Sequence, residues 1–164
     1  MQDCLVSYRK ARIDDVGAIQ SQINYYAGIG LMLARSLSML YESIREFTVV
    51  VVDDKVVGTG SLHITWKDLA EVRALTVDPD YVRRGIGRNL VRVLLAEAQQ
   101  LGIPRVFALT YKEEFFRKCG FLTVAKDELP QKVWRECIDC PKFPNCEETA
   151  VLINLRLEEG KDSL

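Results

Sequence analysis

Two glycines and three arginines lie at one junction of the chain, in the segment VRRGIGR. The segment follows an apolar run and precedes an amphipathic stretch, so it joins a predicted strand to a predicted helix. The first turn of a helix has N–H groups without acceptors, and these groups, with the helix dipole, favour phosphate oxygens. Gly85 and Gly87 allow the main chain to approach a ligand closely. Positive charge comes from Arg83, Arg84 and Arg88. The junction therefore predicts a phosphate-binding loop, and a plain turn with solvated arginines is the alternative.

The longer segment LTVDPDYVRRGIGRNLVRVLLAEAQQLG resembles the coenzyme A motif of the GNAT superfamily of N-acetyltransferases. The segment FALTYKEEFFRKCGF is similar to that superfamily's following strand and helix, which usually end in Gly-Phe. The resemblance covers nearly the whole chain, in the order of elements that the family has. Where the family usually has Gln or Arg, three residues before the first glycine, this chain has Val82.

The resemblance implies that acetyl-CoA is the co-substrate, and it assigns the residues that hold it. Main-chain amides of the junction are expected to bind the pyrophosphate, and they belong to Arg83, Arg84, Gly85, Ile86, Gly87 and Arg88. The end of the preceding strand is expected to pair with the pantetheine arm like an added strand, through Leu75, Thr76 and Val77.

Acyl transfer to an amine requires a neutral amine, a polarised thioester carbonyl and an exit for the thiolate. Glu71 lies fourteen residues before the first glycine, where some GNAT enzymes place a glutamate base. An ion pair of Glu71 with Arg73, on the same face of the strand, is the alternative. A backbone N–H at a bulge of this strand, near Leu75 to Val77, is expected to polarise the carbonyl.

The residue that protonates the leaving thiolate is less clearly marked. Many GNAT enzymes use a tyrosine on the helix before Gly-Phe, and the matching position of this chain is Phe116. Tyr111, five residues earlier, is the candidate in its place. Water is the alternative, because a thiol with a pKa of ~8.5 leaves tolerably as the thiolate.

Within the superfamily, the chain resembles the short bacterial N-acetylglutamate synthases, through segments such as LMLARSLSMLYESIREFTVV and ELPQKVWRECIDCPKFPNC. This resemblance implies acetyl transfer to the α-amine of L-glutamate, at the start of arginine synthesis. A dicarboxylate acceptor requires cations, for which the candidates are Arg35, Arg73, Lys132 and Arg135. Two alternatives stay open. One is a GNAT enzyme for another amine, such as glutamine, another small amine or a protein N-terminus. The other is a non-catalytic regulatory module that binds acetyl-CoA.

The cysteine cluster and the single histidine have simpler interpretations. Cys137, Cys140 and Cys146 offer three thiolates to zinc, but a structural zinc site normally has a second close pair. We therefore favour reduced thiols, and a zinc site with Cys4, Cys119 or a carboxylate as the fourth ligand is the alternative. His63 lies in a predicted strand with alternating apolar neighbours, which favours a hydrogen-bonded sheet histidine over a substrate contact.

The elements that position these residues change character along the chain. A strand over residues 4–10, a helix capped by Asp14 and a helix that begins at Ser36 are followed by three strands with tight connections. A long helix ending at Gly102, a short strand, a short helix and two further strands come next, with a helix predicted in LPQKVWREC. We therefore predict an α/β (α+β) GNAT fold: a mixed, mostly antiparallel sheet of six to seven strands with a βαβ crossover and helices on both faces.

Composition sets the remaining limits. The chain has 164 residues, with 48% hydrophobic and 27% charged residues and a formal net charge of -1. These values predict a single domain over residues 1–164, with no field that would recruit nucleic acid or a membrane surface. No apolar stretch has the length of a transmembrane helix, and the N-terminus lacks the apolar part of a signal peptide, which favours the cytoplasm. GNAT domains often pair, so the resemblance also leaves a homodimer open.

Overall fold

The computed structural model describes residues 5–130, 133 and 148–157. Over these residues the chain forms strands β1 to β7 and helices α1 to α4. Their bounds are β1 Val6–Lys10, α1 Val16–Gly28, α2 Leu37–Glu42, β2 Phe47–Val52, β3 Lys55–Trp66, β4 Leu69–Val77, α3 Ile86–Gln100, β5 Arg105–Thr110, α4 Glu113–Lys118, β6 Leu122–Val124 and β7 Thr149–Asn154. Short 3-10 turns cover Ile13–Asp15, Ile44–Glu46, Pro79–Tyr81 and Lys126–Glu128.

The seven strands form one sheet in the order β1-β2-β3-β4-β5-β7-β6. β1 with β2, β2 with β3, β5 with β7 and β6 with β7 are antiparallel pairs. β4 and β5 are parallel, and α3 forms the crossover between them. The mixed, mostly antiparallel sheet with a βαβ crossover is thereby confirmed.

Residues 5–63 and 72–94 form one compact unit. Its core joins α1 and α2 to β2 through Val16, Ile19, Ile23, Leu40, Ile44, Phe47 and Val49. Gly60 of β3 pairs with Thr48 of β2. Side chains alternate between the two faces along a strand, so Thr48 lies on the face opposite to Phe47 and Val49. A Cβ at Gly60 would lie 3.0 Å from Leu94 of α3, so α3 packs on that other face. Helices on both faces of the sheet are confirmed here.

Residues 64–71 and the described residues from 95 onward form a second compact unit. Its core consists of Leu69, Phe107, Leu129, Val133 and Ala150. β5 is the central strand of this unit, because it pairs with β4 through residues 69–71 and with β7 through its whole length.

The start of α1 differs from the sequence prediction. The residue directly before the helix is Asp15. Asp14, the cap that the sequence predicted, is exposed. The Asp15 carboxylate accepts the N–H of Arg12 at 2.7 Å and two guanidinium N–H groups of Arg9 at 2.7 and 3.0 Å. The Arg9 hydrogen bonds, and then the Arg12 N–H, lower the pKa of Asp15 below its ordinary value of 3.8. The Asp15 carboxylate therefore binds residues of β1 and the start of the 3-10 turn, and it does not cap α1.

Other local predictions agree with the structure. Ser36 caps α2, since its side chain accepts the Met39 N–H at 3.2 Å. Asp53 and Asp54 form the two-residue β2–β3 hairpin turn, and both have positive φ, at 49° and 62°. Of the helix predicted in LPQKVWREC, only Leu129, Pro130 and Val133 are among the described residues. None of the helices in the described part of the chain combines the length and apolar character of a transmembrane span.

Candidate active site

β4 is kinked at Ala74, which has a φ of 51° in the left-handed region. Two consecutive carbonyls meet hydroxyls of β3 at this point. Ser61 Oγ donates to the Arg73 oxygen at 3.2 Å, and Thr59 Oγ1 donates to the Ala74 oxygen at 2.8 Å. In a regular strand successive carbonyls point to opposite edges, so this arrangement defines a bulge. The kink directly precedes the three residues assigned to pantetheine pairing.

The bulge turns two main-chain donors away from β3. A trans peptide places its N–H opposite its C=O, so the N–H groups of Ala74 and Leu75 point toward the other edge of β4. In the described residues the pairing of β4 with β5 runs from Leu69 to Glu71. The β4 edge beyond Glu71 therefore has the geometry for hydrogen bonding to an extended ligand.

Helix α1 supports the end of β4. The phenol of Tyr26 donates a hydrogen bond to the Val77 carbonyl, and the Gln22 side chain lies 3.1 Å from Thr76 Oγ1. Thr76 is buried. The partial burial of the Tyr26 phenol itself raises the pKa of that group above its ordinary value. The sequence analysis missed both α1 residues, because a helical tyrosine and glutamine have many solvent-exposed uses and no motif singles them out.

The loop after β4 holds a fixed shape. The Asp78 N–H donates to the Val57 oxygen at 2.7 Å, and the Asp78 carboxylate accepts the N–H of Asp80 at 2.9 Å. Further on, Arg83 and Gly85 have positive φ, at 65° and 78°. Two left-handed residues close together reverse the chain before the helix begins, which requires glycine or a strained residue.

Helix α3 begins directly after this reversal. Its first intrahelical bond is from the Asn89 N–H to the Gly85 oxygen, at 3.0 Å. The N–H groups of Ile86, Gly87 and Arg88 therefore belong to the first turn, which has no acceptors of its own. Gly87 lies inside the helix, whereas Gly85 is the glycine with the left-handed backbone. Ile86 is buried and anchors this turn, so the helix terminus has the geometry that favours an anion.

The arginines of the loop are exposed, and one of them stacks on an aromatic ring. The guanidinium of Arg84 lies 5.0 Å from the ring centroid of Tyr81, and the ammonium of Lys55 lies 5.7 Å from it. Lys55 also pairs with Asp78 at 3.5 Å. Arg83 and Arg88 are exposed beside the helix terminus. The loop thus joins main-chain donors to positive charge, as a diphosphate requires.

Arg35 and Arg73, the two candidate substrate arginines of the first unit, are half-buried. The guanidinium of Arg35 lies 5.9 Å from the ring centroid of Phe47, and the Arg35 oxygen accepts a hydrogen bond from Gln20 at 3.2 Å. Arg73 lies on β4 at the bulge. Both residues make further polar or electrostatic interactions. Lys132 and Arg135, the other two candidates, lie outside the described residues.

The candidate proton-transfer residues belong to the second unit. Glu71 is buried, with 8% of its surface exposed, and its neighbour in the parallel ladder is Phe107. Tyr111 directly follows β5 and is half-buried. Phe116 is buried, and its ring makes edge contacts with Phe115 and Phe121 at 5.2 Å. Its place in an aromatic cluster gives a packing reason for phenylalanine at this position.

The sequence analysis also considered His63 and the cysteine cluster. His63 Nδ1 lies 3.0 Å from the Glu46 carboxylate, which confirms a hydrogen-bonded sheet histidine. Cys137, Cys140 and Cys146 lie outside the described residues. Within residues 5–130, 133 and 148–157, no group of three metal-ligating side chains comes together.

Comparison with known proteins agrees with this geometry. Residues 23–121 match the acetyltransferase (GNAT) family. The chain is 38% identical to an uncharacterised N-acetyltransferase of Chlorobaculum tepidum over 147 residues, which cover 90% of this chain and 95% of that protein. It is 41% identical to an amino-acid acetyltransferase of Mycobacterium tuberculosis over 138 residues, which cover 82% and 79% of the two chains.

A solved structure shows the same fold with ligands bound. The chain is similar to N-acetylglutamate synthase from Neisseria gonorrhoeae, crystallised with coenzyme A and N-acetyl-glutamate, with a TM-score of 0.85 and 27% identity. The similarity covers 94% of this chain and 36% of the Neisseria chain, which is much longer. The chain therefore belongs to the acetyltransferase (GNAT) family and is an acetyl-CoA-dependent N-acetyltransferase of that family.

Proposed function

We propose that the chain transfers the acetyl group of acetyl-CoA to the α-amine of L-glutamate, as the first step of arginine biosynthesis. The observation that carries this proposal is the similarity to an N-acetylglutamate synthase crystallised with coenzyme A and N-acetyl-glutamate. The 41% identity to an amino-acid acetyltransferase supports an amino acid as the acceptor. On this proposal the protein works in the cytoplasm, and a homodimer stays a prediction.

The described residues fit the co-substrate. The diphosphate requires several donors with positive charge, which the first turn of α3 and the exposed side chains of Arg83 and Arg88 supply. The pantetheine arm has amide groups that can pair with an extended strand, and Leu75 to Val77 follow the bulge where the main-chain donors turn outward. Bound acetyl-CoA supplies an activated acetyl group as a thioester.

The residues of this chain then have separate tasks. The Leu75 N–H is the donor that polarises the acetyl carbonyl, because the bulge directs it away from β3. Glu71 accepts a proton from the ammonium group of the acceptor, directly or through water, and the neutral amine that results attacks the acetyl carbonyl. Tyr111 donates a proton to the departing thiolate, and water is the alternative donor for this step.

The acceptor requires positive charge at its two carboxylates. Arg35 and Arg73 provide planar, bidentate groups in the described part of the chain, and Lys132 and Arg135 provide further cations outside it. Stacking on Phe47 holds the Arg35 guanidinium in a restricted orientation. Arg35→Lys, which keeps the charge but removes the bidentate group, is therefore expected to raise KM for glutamate more than KM for acetyl-CoA.

Thiol release from acetyl-CoA in the presence of a panel of amines tests the proposal. The panel holds L-glutamate, L-glutamine, L-aspartate, small primary amines and a peptide with a free N-terminus. The expected result is the highest kcat/KM with L-glutamate. A higher value with another amine would replace the substrate, and tight binding of acetyl-CoA with no turnover of any amine would favour a regulatory module.

A further inference from the structure

We propose that Thr59 is a positioning residue for acetyl transfer, which holds the β4 bulge so that the Leu75 N–H is aimed at the acetyl carbonyl. Thr76 and Gln22 complete a chain of hydrogen bonds that leads from helix α1 to the bulge. This inference rests on the proposed use of acetyl-CoA but not on the identity of the acceptor amine.

Three close contacts define the chain. Thr59 Oγ1 lies 2.8 Å from the Ala74 oxygen and 2.8 Å from Thr76 Oγ1. Thr76 Oγ1 lies 3.1 Å from the side-chain amide of Gln22. Thr59 and Thr76 are 0% and 2% exposed, so water does not compete for these groups.

The number of protons fixes the bond that matters for the bulge. The Ala74 oxygen only accepts, so the single hydroxyl proton of Thr59 belongs to that bond. The single proton of Thr76 has two acceptors within reach, Thr59 Oγ1 at 2.8 Å and Gln22 Oε1 at 3.1 Å. Thr59 therefore donates to the Ala74 carbonyl, and Thr76 and Gln22 lie behind it on the side of helix α1.

The bond to Ala74 compensates for an unfavourable backbone. A φ of 51° is sparsely populated for a residue with a Cβ, and such a conformation persists only where the surroundings enforce it. Because the Ala74–Leu75 peptide is planar, fixing its carbonyl toward β3 also fixes the Leu75 N–H in the opposite direction. The Thr59 hydroxyl thus sets the orientation of a donor that it does not touch.

A second buried threonine of the sheet lacks such partners. Thr48 of β2 is 1% exposed, and its hydroxyl has no hydrogen-bond partner among the described residues. Thr59, by contrast, has two oxygen neighbours at 2.8 Å. Thr48→Val therefore provides a matched control, since it removes the same group from a buried position in the sheet.

The test uses the carbonyl stretch of bound acetyl-CoA, recorded by infrared difference spectroscopy with carbonyl-13C acetyl-CoA and no amine present. A hydrogen bond to the carbonyl lowers its stretching frequency. We expect a lowered frequency in the wild type, in Thr59→Ser and in Thr48→Val, and a frequency closer to that of free acetyl-CoA in Thr59→Val. The kcat of Thr59→Val is expected to fall about 10- to 100-fold, because one hydrogen-bond donor is misplaced. The Kd of coenzyme A is expected to change little, because coenzyme A lacks the thioester carbonyl.

The outcomes separate the two proposals. Binding of acetyl-CoA with the wild-type frequency in Thr59→Val would overturn the positioning role and leave the proposed function intact. Absence of acetyl-CoA binding by the wild type would overturn the proposed function and this inference with it. If Thr59→Val does not fold, Thr76→Val tests the same chain one bond further away, with a smaller change expected in the same direction. A wild-type frequency in Thr76→Val then counts against the proposal.

Discussion

The phenol of Tyr26 on α1 donates a hydrogen bond to the carbonyl of Val77, the last residue of β4. One hydrogen bond thus ties a helix to the strand end that leads into the loop before α3. Since Val77 also belongs to the segment assigned to pantetheine pairing, this contact fixes one end of the proposed co-substrate site.

Tyr26→Phe removes this hydrogen bond and keeps the ring. The Val77 oxygen loses a partner in a half-buried position, so we expect the free energy of unfolding to fall by about 1 kcal/mol. Urea denaturation at neutral pH measures the change. Tyr25→Phe is the matched control, because Tyr25 is 52% exposed and lies next to Tyr26 in the same helix. An equal loss in both variants would show that the Val77 contact contributes nothing.

The same residue predicts a pH dependence at alkaline pH. Burial first, and then the charges of Tyr25 and Asp78, raise the pKa of Tyr26 above its ordinary value of 10.0. The unfolded chain therefore loses the phenol proton at lower pH than the folded chain. The stabilisation from Tyr26 is complete below pH 10.0 and is lost as pH rises through the folded-state pKa. The difference in unfolding free energy between the wild type and Tyr26→Phe is expected to decrease as pH rises from 10.0 through the folded-state pKa of Tyr26. A constant difference would contradict the burial of the phenol.

Asp15 predicts the opposite dependence at acid pH. Its pKa is lowered from 3.8, first by the hydrogen bond from Arg9, so its stabilisation is present above pH 3.8 and is lost as pH falls through the folded-state pKa. Asp15→Asn keeps an acceptor for the Arg12 N–H but removes the charge that faces Arg9. We expect a loss of about 1–3 kcal/mol at neutral pH that shrinks in acid.

Asp14→Asn provides the comparison for this measurement, since Asp14 is exposed and adjacent. Its unfolding free energy is expected to stay within about 0.5 kcal/mol of the wild type, as is usual for surface substitutions. Chemical denaturation of both variants between neutral and acid pH measures the effect. A larger loss in Asp14→Asn than in Asp15→Asn would restore Asp14 as the residue that organises the start of α1.

This contrast shows where sequence reasoning succeeded and where it did not. Strand and helix bounds follow from hydrophobic periodicity, so β2, β3 and β4 could be predicted closely. The choice between Asp14 and Asp15 depends on a tertiary partner, Arg9, that local preferences do not contain. The glycine loop before α3 could be predicted because glycine conformation and helix termini are local properties, and its use for phosphate binding stays a prediction.

The support of the bulge could not be predicted in the same way. Thr59 and Ser61 lie two residues apart in β3 and therefore share a face, but this spacing alone does not assign them a role. Their roles depend on the register of β3 against β4, which places them beside two adjacent carbonyls. Register is set by the whole sheet, so local sequence leaves it open.

Gly85 is expected to be specific for co-substrate binding. Gly85 and Gly102 have nearly equal positive φ, 78° and 81°, and a Cβ on either would meet no described atom within 4 Å beyond the adjacent residues. Alanine at either position therefore imposes backbone strain without a clash, at a cost of about 1–2 kcal/mol in stability. Gly85→Ala shifts the donors of the loop and is expected to raise the Kd of coenzyme A about tenfold, while Gly102→Ala leaves it unchanged. Calorimetry on both variants distinguishes these effects, and equal affinities would separate the loop from diphosphate binding.

Glu71→Gln tests the proton-transfer assignment. Glutamine keeps the size and polarity of the buried side chain but cannot accept the ammonium proton, so kcat is expected to fall by a factor of about 10²–10⁴ with an unchanged Kd for coenzyme A. Asp68→Asn is the matched control, because Asp68 is also an acid of the second unit and pairs with Arg105 at 3.1 Å. Unchanged turnover in Glu71→Gln would assign the carboxylate to the structure of β4. A joint loss of turnover and coenzyme A affinity would show that it shapes the binding edge. Only a selective loss of kcat supports the base, since only the chemical step requires a proton acceptor at this position.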